Sequence, residues 1–344
     1  MSQKSYRVGI LGASGYTGAE LVRILAAHPA IEIAALSAER KAGQGMAEVF
    51  AQLRHLDLPP LQRIDAIDLG TLDLVFCALP HGVTQKLARE LPAGVKMVDL
   101  SADFRLRDPE AYRRWYGLEH AAPDLQDEVA FGLPEFYRER IRRARITANT
   151  GCYVATSLLP LVPLLEAGAV APEGIVIDAK SGVSGAGRGL REDMLFCEVN
   201  EGFRAYGVGG HRHMAELDQE LSAAAGRPVT VTFTPHLVPM NRGMMATIYA
   251  AGEAERVHEV LARRFAEEPF VQVLPLGQVP ATQHVRGSNL CHIGVVADRV
   301  PGRVILVSVL DNLVKGASGQ AVQNANIMLG LPETAGLEMV PVFP

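Results

Sequence analysis

The sequence predicts an α/β chain in which a doubly wound parallel sheet is followed by an α+β domain with a mainly antiparallel sheet. Three observations predict it. The apolar run YRVGIL (6–11) leads through the glycine turn GASGYTG into the helix-like AELVRILAAH. Strand-like and helix-like runs then alternate up to about residue 150, the pattern of βαβ units in a Rossmann sheet. From residue 229 onward β-rich runs succeed one another, with HEVLARRFAEE as the one long helical interruption.

Taken in order, IEIAALS (31–37) lies one βαβ distance after the first strand. LDLVFCALP (72–80), the helical TQKLARELPAG and VKMVDLS (95–101) continue the alternation, with right-handed crossovers expected between strands. A helix over 152–168 and the strand IVIDAKSGVSG open the second part, and an irregular stretch reaches about residue 210. VTVTFTPHLV, GMMATIYAAG, NLCHIGVVAD and GRVILVSVLDN read as strands. The tail ASGQAVQNANIMLG is helical, with small residues that permit close packing, and is expected to return to the first domain. The expected domains are a dinucleotide-binding Rossmann domain over 1–150, completed by 312–344, and a second domain over 151–311.

A chain of 344 residues exceeds one ordinary core, and 48% hydrophobic residues suffice to bury two. The net charge of −5 is spread over both signs, without the basic stripe that a nucleic-acid groove needs. Apolar runs such as Ser157–Leu165 are short and broken by proline, well under the ~20 residues of a membrane span. MSQKSYRVGILG enters a strand within a few residues and has no apolar leader, so a cytoplasmic protein is expected. Cys77, Cys152, Cys197 and Cys291 form no CxxC pair, which argues against a disulfide framework. His211 and His213 are the one close pair of metal-ligand type, so no metal site is expected.

GASGYTG places glycines at 12, 15 and 18. Gly12 and Gly15 let the backbone approach a pyrophosphate, and Gly18 lets helix and strand pack closely. The helix start then offers N–H groups and the positive end of its dipole. Ser14, Tyr16 and Thr17 of the same turn, and Leu79 and Pro80 of ALPHG, complete the candidate cofactor contacts. An NAD site usually carries an acid at the end of the second strand. Here Ser37 is followed by Arg40 and Lys41, hydroxyl and cationic groups that suit a 2′-phosphate, so NADP(H) is expected, with Glu39 as the competing NAD-type residue.

NTGCYVATSLLPL puts Cys152 behind a glycine at the start of an apolar helix. First-turn N–H groups favour thiolate, and Gly151 allows a substrate carbonyl to approach them. Cys77 and Cys291 lie in apolar strand patterns and read as core; Cys197 is ambiguous. A nucleophilic cysteine needs a proton-transfer partner, and the histidine-dense segment is YGVGGHRHMAEL. Residues two apart in an extended loop point to opposite sides, so one of His211 and His213 faces the thiol. His28, His55, His120 and His258 read as surface positions, while His81 and His236 follow apolar segments.

GASGYTGAEL, ALPHG, DLSADFRL, GCY, SGVSGAGR, FCEV, YGV with HRHMAEL, FTPHLVPMNRG and DNLVKGASGQAVQNAN together resemble the N-acetyl-γ-glutamyl-phosphate reductases of arginine biosynthesis, in the family's order from residue 9 to about 330. The resemblance implies a catalytic and dimerisation domain shared with aspartate-semialdehyde and glyceraldehyde-phosphate dehydrogenases, NADPH as reductant, and a homo-oligomer, dimer or tetramer. It implies that Cys152 attacks a small acyl phosphate, expels phosphate and becomes a thioacyl group that hydride reduces to the semialdehyde. His211, or otherwise His213, then serves as acid and base, with His213 and Glu216 as support.

Arg105, Arg188 and Arg212 are candidates for the substrate's anions, and Asn149 and Glu216 for further substrate contacts. Ser184 and Gly185 lie in a loop whose N–H groups can meet nicotinamide or substrate, and Asn312 can meet the nicotinamide amide. Thr150 stands where the family usually has proline, and its hydroxyl is expected to cap the following helix. A reductase of carrier-linked aminoadipyl or glutamyl phosphate, and aspartate-semialdehyde dehydrogenase, are the alternatives within the enzymes. A non-catalytic NADP-binding redox sensor is the alternative outside them.

Overall fold

The structure, a computed structural model, describes residues 5–343. The outermost residues of the expected first domain, 1–4 and 344, and with them the first residues of the expected leaderless start, lie outside the described residues. The chain divides into two compact units: the residues up to Thr150 with Ala317–Glu338, and Gly151–Gly316 with the chain from Met339. Asn312–Gly316 and the chain from Met339, both drawn into the first domain on sequence, group with the second.

The first unit holds seven strands: β1 (Tyr6–Leu11), β2 (Ile31–Ser37), β3 (Leu61–Gln62), β4 (Leu74–Cys77), β5 (Lys96–Asp99), β6 (Val129–Gly132) and β7 (Ile146–Asn149). They lie in the order β3-β2-β1-β4-β5-β7-β6, every pairing parallel. β1 is the strand from which the chain winds first to one side and then to the other, and this switch is where open α/β sheets bind ligands. The helix after β1 runs Tyr16–Leu25, three residues earlier than the apolar pattern suggests, because the backbone turns directly out of extended Gly15.

The helix Gly319–Leu329 belongs to this first unit. It is buried almost throughout, and the side-chain amide nitrogens of its Gln and Asn residues all find acceptors. Gln320 Nε2 donates to the Thr150 hydroxyl, Asn324 Nδ2 donates to Gly132 O (3.1 Å) and Asn149 Oδ1 (3.0 Å), and Asn326 Nδ2 donates to Ala335 O (2.9 Å). Two expectations change here. Thr150 does not cap the next helix: its hydroxyl accepts from Gln320, and the cap residue is Gly151 without a side-chain bond. His28 is buried, not a surface residue, its ring bonded to Asn326 Oδ1 at 3.0 Å.

The second unit holds β8 (Val176–Gly182), β9 (Arg204–Ala205), β10 (Thr232–Val238), β11 (Met244–Ala251), β12 (Val271–Val273), β13 (Cys291–Ala297) and β14 (Arg303–Leu310). Their order is β12-β13-β14-β11-β8-β10-β9. The pairs β8–β10 and β12–β13 are parallel and the other four antiparallel, the mainly antiparallel sheet that the sequence predicts. Alternate residues of β10 and β11 are buried, so one face of the sheet is a core face. The helix Cys152–Glu166 packs against β11 and against the helix His213–Ala225, and is apolar nearly all round. That packing fixes the direction in which its first residue projects.

Candidate active site

In the first unit, Gly12 has φ +91°, and a Cβ there would stand 2.3 Å from Ala78 O. A Cβ on Gly18 would meet the Ala13 Cα at 2.6 Å. Both glycines are demanded by the fold. Gly15 is different: a Cβ there would meet only Gly12 O, at 3.6 Å. It precedes a helix with no side-chain cap and no acid in its first turn, so the first-turn N–H groups of Tyr16 and Thr17 suit an anion from outside the protein. Ser37, expected beside a phosphate, is buried instead. Its Oγ accepts the Gly12 N–H at 3.1 Å and its carbonyl the Ala13 N–H at 2.8 Å, so it holds the turn in place. Arg40 and Lys41 are exposed beyond β2.

Leu79 is half-buried and Pro80 exposed, in a loop that Asp103 secures. Asp103 accepts from Gly82 N (2.7 Å), Thr84 N (3.0 Å) and Tyr112 Oη (3.0 Å). Arg105, expected at the substrate, is buried here and donates to Leu100 O at 3.0 Å. Asn149, also expected at the substrate, is buried with both ends of its amide engaged: Nδ2 donates to Ala317 O (3.1 Å) and Oδ1 accepts from Asn324. Its place is in the frame.

Burial, then the neighbouring Asp103, raises the Asp99 carboxyl to about 7. A raised folded-state value means that the fold holds a proton the unfolded chain has released, so stability is present at low pH and is lost as pH rises from about 4 to 7. Asp99→Asn is expected to raise the melting temperature by several degrees at pH 8 and by little at pH 5, read by calorimetry at both values. An equal gain at both would refute it.

In the second unit, Cys152 is the first residue of its helix, after extended Gly151 (φ −72°, ψ 153°), and is half-buried. Gly316 backs it: a Cβ there would come within 2.7 Å of the Cys152 Cβ. The neighbouring Tyr153 is buried, donates to His236 O at 3.0 Å and accepts from Tyr206 Oη at 3.2 Å. The Tyr153 ring meets His211 and His213 edge-on, with centroids 5.8 Å and 5.9 Å away. The two imidazoles are 4.7 Å apart, and Tyr206 stands 5.4 Å from His211. Helix start, histidine loop and two phenols thus form one cluster. Tyr153, Tyr206 and Gly316 went unnoticed in the sequence, where only Tyr153's place beside Cys152 was a signal.

The histidines differ. His211 Nδ1 accepts the His213 N–H at 3.2 Å, which leaves the neutral ring's proton on Nε2. Burial, then the Arg212 charge, pushes His211 down to about 4, so its ring is neutral at physiological pH. His213 Nε2 stands 4.0 Å from the carboxylate of fully buried Glu216. Glu216 therefore sits behind the site as a prop for His213, out of reach of solvent. Burial first, with smaller contributions from neighbours, pushes the Tyr206 phenol up to about 12 and Tyr153 higher still, and both stay neutral.

Asn312, expected at nicotinamide, is buried and committed at both ends: Oδ1 accepts from Gly243 N (2.8 Å) and Nδ2 donates to Ser184 Oγ (2.9 Å). It fixes the loop that carries Ser184 and the exposed Gly185. Arg188 and Arg212 are exposed. Cys77 and Cys291 are buried and Cys197 exposed. Among the described residues, no group of three or more His, Cys, Asp or Glu is arranged to hold a metal, and no helix is long and apolar enough to cross a membrane.

Residues 7–144 match the family model of the semialdehyde dehydrogenase NAD-binding domain, and 152–312 that of the semialdehyde dehydrogenase dimerisation domain. The chain is 61% identical over 339 residues to the N-acetyl-γ-glutamyl-phosphate reductase of Paracoccus denitrificans, covering 98% of this chain and 99% of the relative. It is 61% identical over 341 residues to the enzyme of that name from Ruegeria pomeroyi, covering 99% and 100%. Among solved structures it is similar in fold to aspartate semialdehyde dehydrogenase II of Vibrio cholerae, with a TM-score of 0.72 at 18% identity, covering 95% of this chain and 99% of that one. The Candida albicans aspartate semialdehyde dehydrogenase with NADP gives 0.68 at 18% identity, covering 95% and 99%.

Proposed function

The chain belongs to the N-acetyl-γ-glutamyl-phosphate reductase family, and from that premise we propose that it reduces N-acetyl-γ-glutamyl phosphate to N-acetyl-L-glutamate 5-semialdehyde and phosphate, using NADPH and a thioacyl intermediate on Cys152. The observation that carries the reading is the seat of Cys152: a half-buried thiol at an uncapped helix start, next to a tyrosine whose ring touches both histidines.

First-turn N–H groups favour the Cys152 thiolate. The sulfur attacks the acyl carbon, the bond from that carbon to the phosphate oxygen breaks, and phosphate leaves with the electron pair. When bound, the reduced nicotinamide supplies a hydride. His211 keeps its proton on Nε2 and offers it as a hydrogen bond to the acyl oxygen as charge develops there. The carbon–sulfur bond then breaks, its pair returns to Cys152, and the semialdehyde leaves. Arg188 and Arg212 suit the substrate's carboxylate and phosphate.

The cofactor is a nicotinamide dinucleotide, in keeping with the NAD-binding family model over the first unit. The turn fits its pyrophosphate, since Gly15 leaves open space over an uncapped helix start. Arg40 and Lys41 beyond β2 favour the 2′-phosphate of NADP(H). The chain works as a homo-oligomer, dimer or tetramer, in keeping with the dimerisation family model, and in the cytoplasm.

Two measurements test the reading. Mass spectrometry of the protein mixed with N-acetyl-γ-glutamyl phosphate without cofactor is expected to show an acyl adduct on Cys152. In reverse, with phosphate and NADP, N-acetylglutamate semialdehyde is expected to outpace aspartate semialdehyde. No adduct, or the opposite preference, would overturn it. The pH dependence adds a third. Because burial and the Arg212 charge hold His211 down to about 4, its ring is expected to stay neutral down to about pH 5, read from the His211 imidazole resonances in a pH titration. Arg212→Ala removes one of the two causes of that low value, so the midpoint is expected to move up by up to roughly one unit, toward the ordinary histidine range. A wild-type midpoint already at about 6.5 would overturn the neutral-donor role of His211.

A further inference from the structure

The carboxylate at the end of the second strand is not available in the way an NAD site requires. Glu39 Oε2 pairs with Arg63 Nη1 at 3.1 Å. Arg63 follows β3, which lies parallel beside β2 with Ser37 opposite Gln62, so the two chains emerge side by side at the carboxyl end of the sheet. The turn between them is bonded down. Ala38 N donates to Gln62 O (2.9 Å), Gly43 N to Leu61 O (2.7 Å) and Leu61 N to Gln44 O (2.9 Å). Asp65 also holds Arg63 through two nitrogens, accepting from Nε at 3.2 Å and from Nη2 at 3.3 Å. Arg40 and Lys41, on the same turn, make no ion pair among the described residues.

We propose that Arg63 is a specificity-determining residue for the cofactor: it occupies the carboxylate that would take the ribose hydroxyls of NAD, and it contributes a guanidinium to the 2′-phosphate of NADP alongside Arg40 and Lys41. This rests on the NADP reading above. The side chains of Arg63 and Glu39 are 59% and 55% exposed, and such a pair adds little to folding stability. Its geometry is explained by recognition. A guanidinium has five N–H donors; Asp65 takes Nε and one on Nη2 and Glu39 takes one on Nη1, so two remain to face a phosphate. Without it, Glu39 would stand unpaired beside the incoming dianion and repel it.

The test uses adenosine 2′,5′-bisphosphate and adenosine 5′-monophosphate, which differ only in the 2′-phosphate, titrated calorimetrically into the full-length protein. Wild type is expected to prefer the bisphosphate. Arg63→Ala is expected to weaken the bisphosphate about tenfold or more, leave the monophosphate within about twofold, and leave the melting temperature unchanged. Adding Glu39→Ala to Arg63→Ala is expected to restore part of the lost bisphosphate affinity. If wild type prefers the bisphosphate but Arg63→Ala weakens both ligands alike, or neither, the role of Arg63 is overturned and the NADP reading stands. If wild type does not prefer the bisphosphate, both fall.

Discussion

Cys152→Ser is expected to abolish phosphate-dependent reduction of NADP by N-acetylglutamate semialdehyde, with a loss beyond about a hundredfold, while NADPH binding stays as in wild type. The physical reason lies in the atom replaced. A serine hydroxyl remains protonated beside the same first-turn N–H groups that favour a thiolate, and a neutral hydroxyl attacks an acyl phosphate poorly. A hundredfold loss corresponds to about 2.7 kcal/mol of transition-state stabilisation, and loss of a covalent nucleophile should exceed it. The substitution is nearly isosteric at a half-buried position, so the Tyr153–His211–Tyr206 cluster behind it keeps its packing. Residual activity above a hundredth of wild type, measured in single turnovers to exclude contamination, would argue against covalent catalysis. Loss of NADPH binding in the same variant would instead show that the substitution had disturbed the fold.

The sequence displayed what depends on local pattern. β1, β2, β4 and β5 stand out as apolar runs of ordinary strand length between helical stretches, and the glycine turn sits between β1 and its helix as the chemistry requires. β3 and β9 have two residues each and β12 has three, too short for any periodicity to register. They exist because neighbouring strands supply the pairing.

Side-chain placement was legible where a local signal fixes it. Cys152 is such a case: expected behind Gly151 at a helix start, it is the first residue of its helix. Asn149 and Asn312 are the opposite case: an amide bonds a ligand or a backbone carbonyl equally well, and the folded chain gives both of them to backbone and side-chain partners. The polar helix Gly319–Leu329 explains the difference. The small residues of this segment announced close packing, but nothing in it announced that its Gln and Asn residues are buried and donate to partners on the chain up to Thr150 and after Leu329. His28 is hidden by the same helix, through Asn326.

The glycine turn provides the second large expected effect, and a pair of variants separates its two physical demands. Gly12→Ala forces an L side chain into φ +91° and drives its Cβ to 2.3 Å from a backbone carbonyl that β4 holds in place. Neither strain has a flexible side chain to absorb it, so the first unit is expected to lose stability, about 2 kcal/mol or more, and nucleotide binding with it. Gly15→Ala makes the opposite prediction about folding. Gly15 has φ −86° and ψ 171°, open to any residue, and its added methyl meets nothing closer than 3.6 Å. Its melting temperature should stay within a few degrees of wild type, because the freedom that the unfolded chain loses offsets alanine's poorer fit at a helix N-cap. Yet that methyl fills the space over the first-turn N–H groups where the pyrophosphate is proposed to lie. NADPH fluorescence titration is expected to show affinity reduced at least about tenfold, at unchanged stability. Gly15→Ala that binds NADPH normally would mean that the open space at this helix start serves something other than the dinucleotide. A glycine whose added Cβ would meet open space leaves room for a ligand, and here binding and folding can be measured apart.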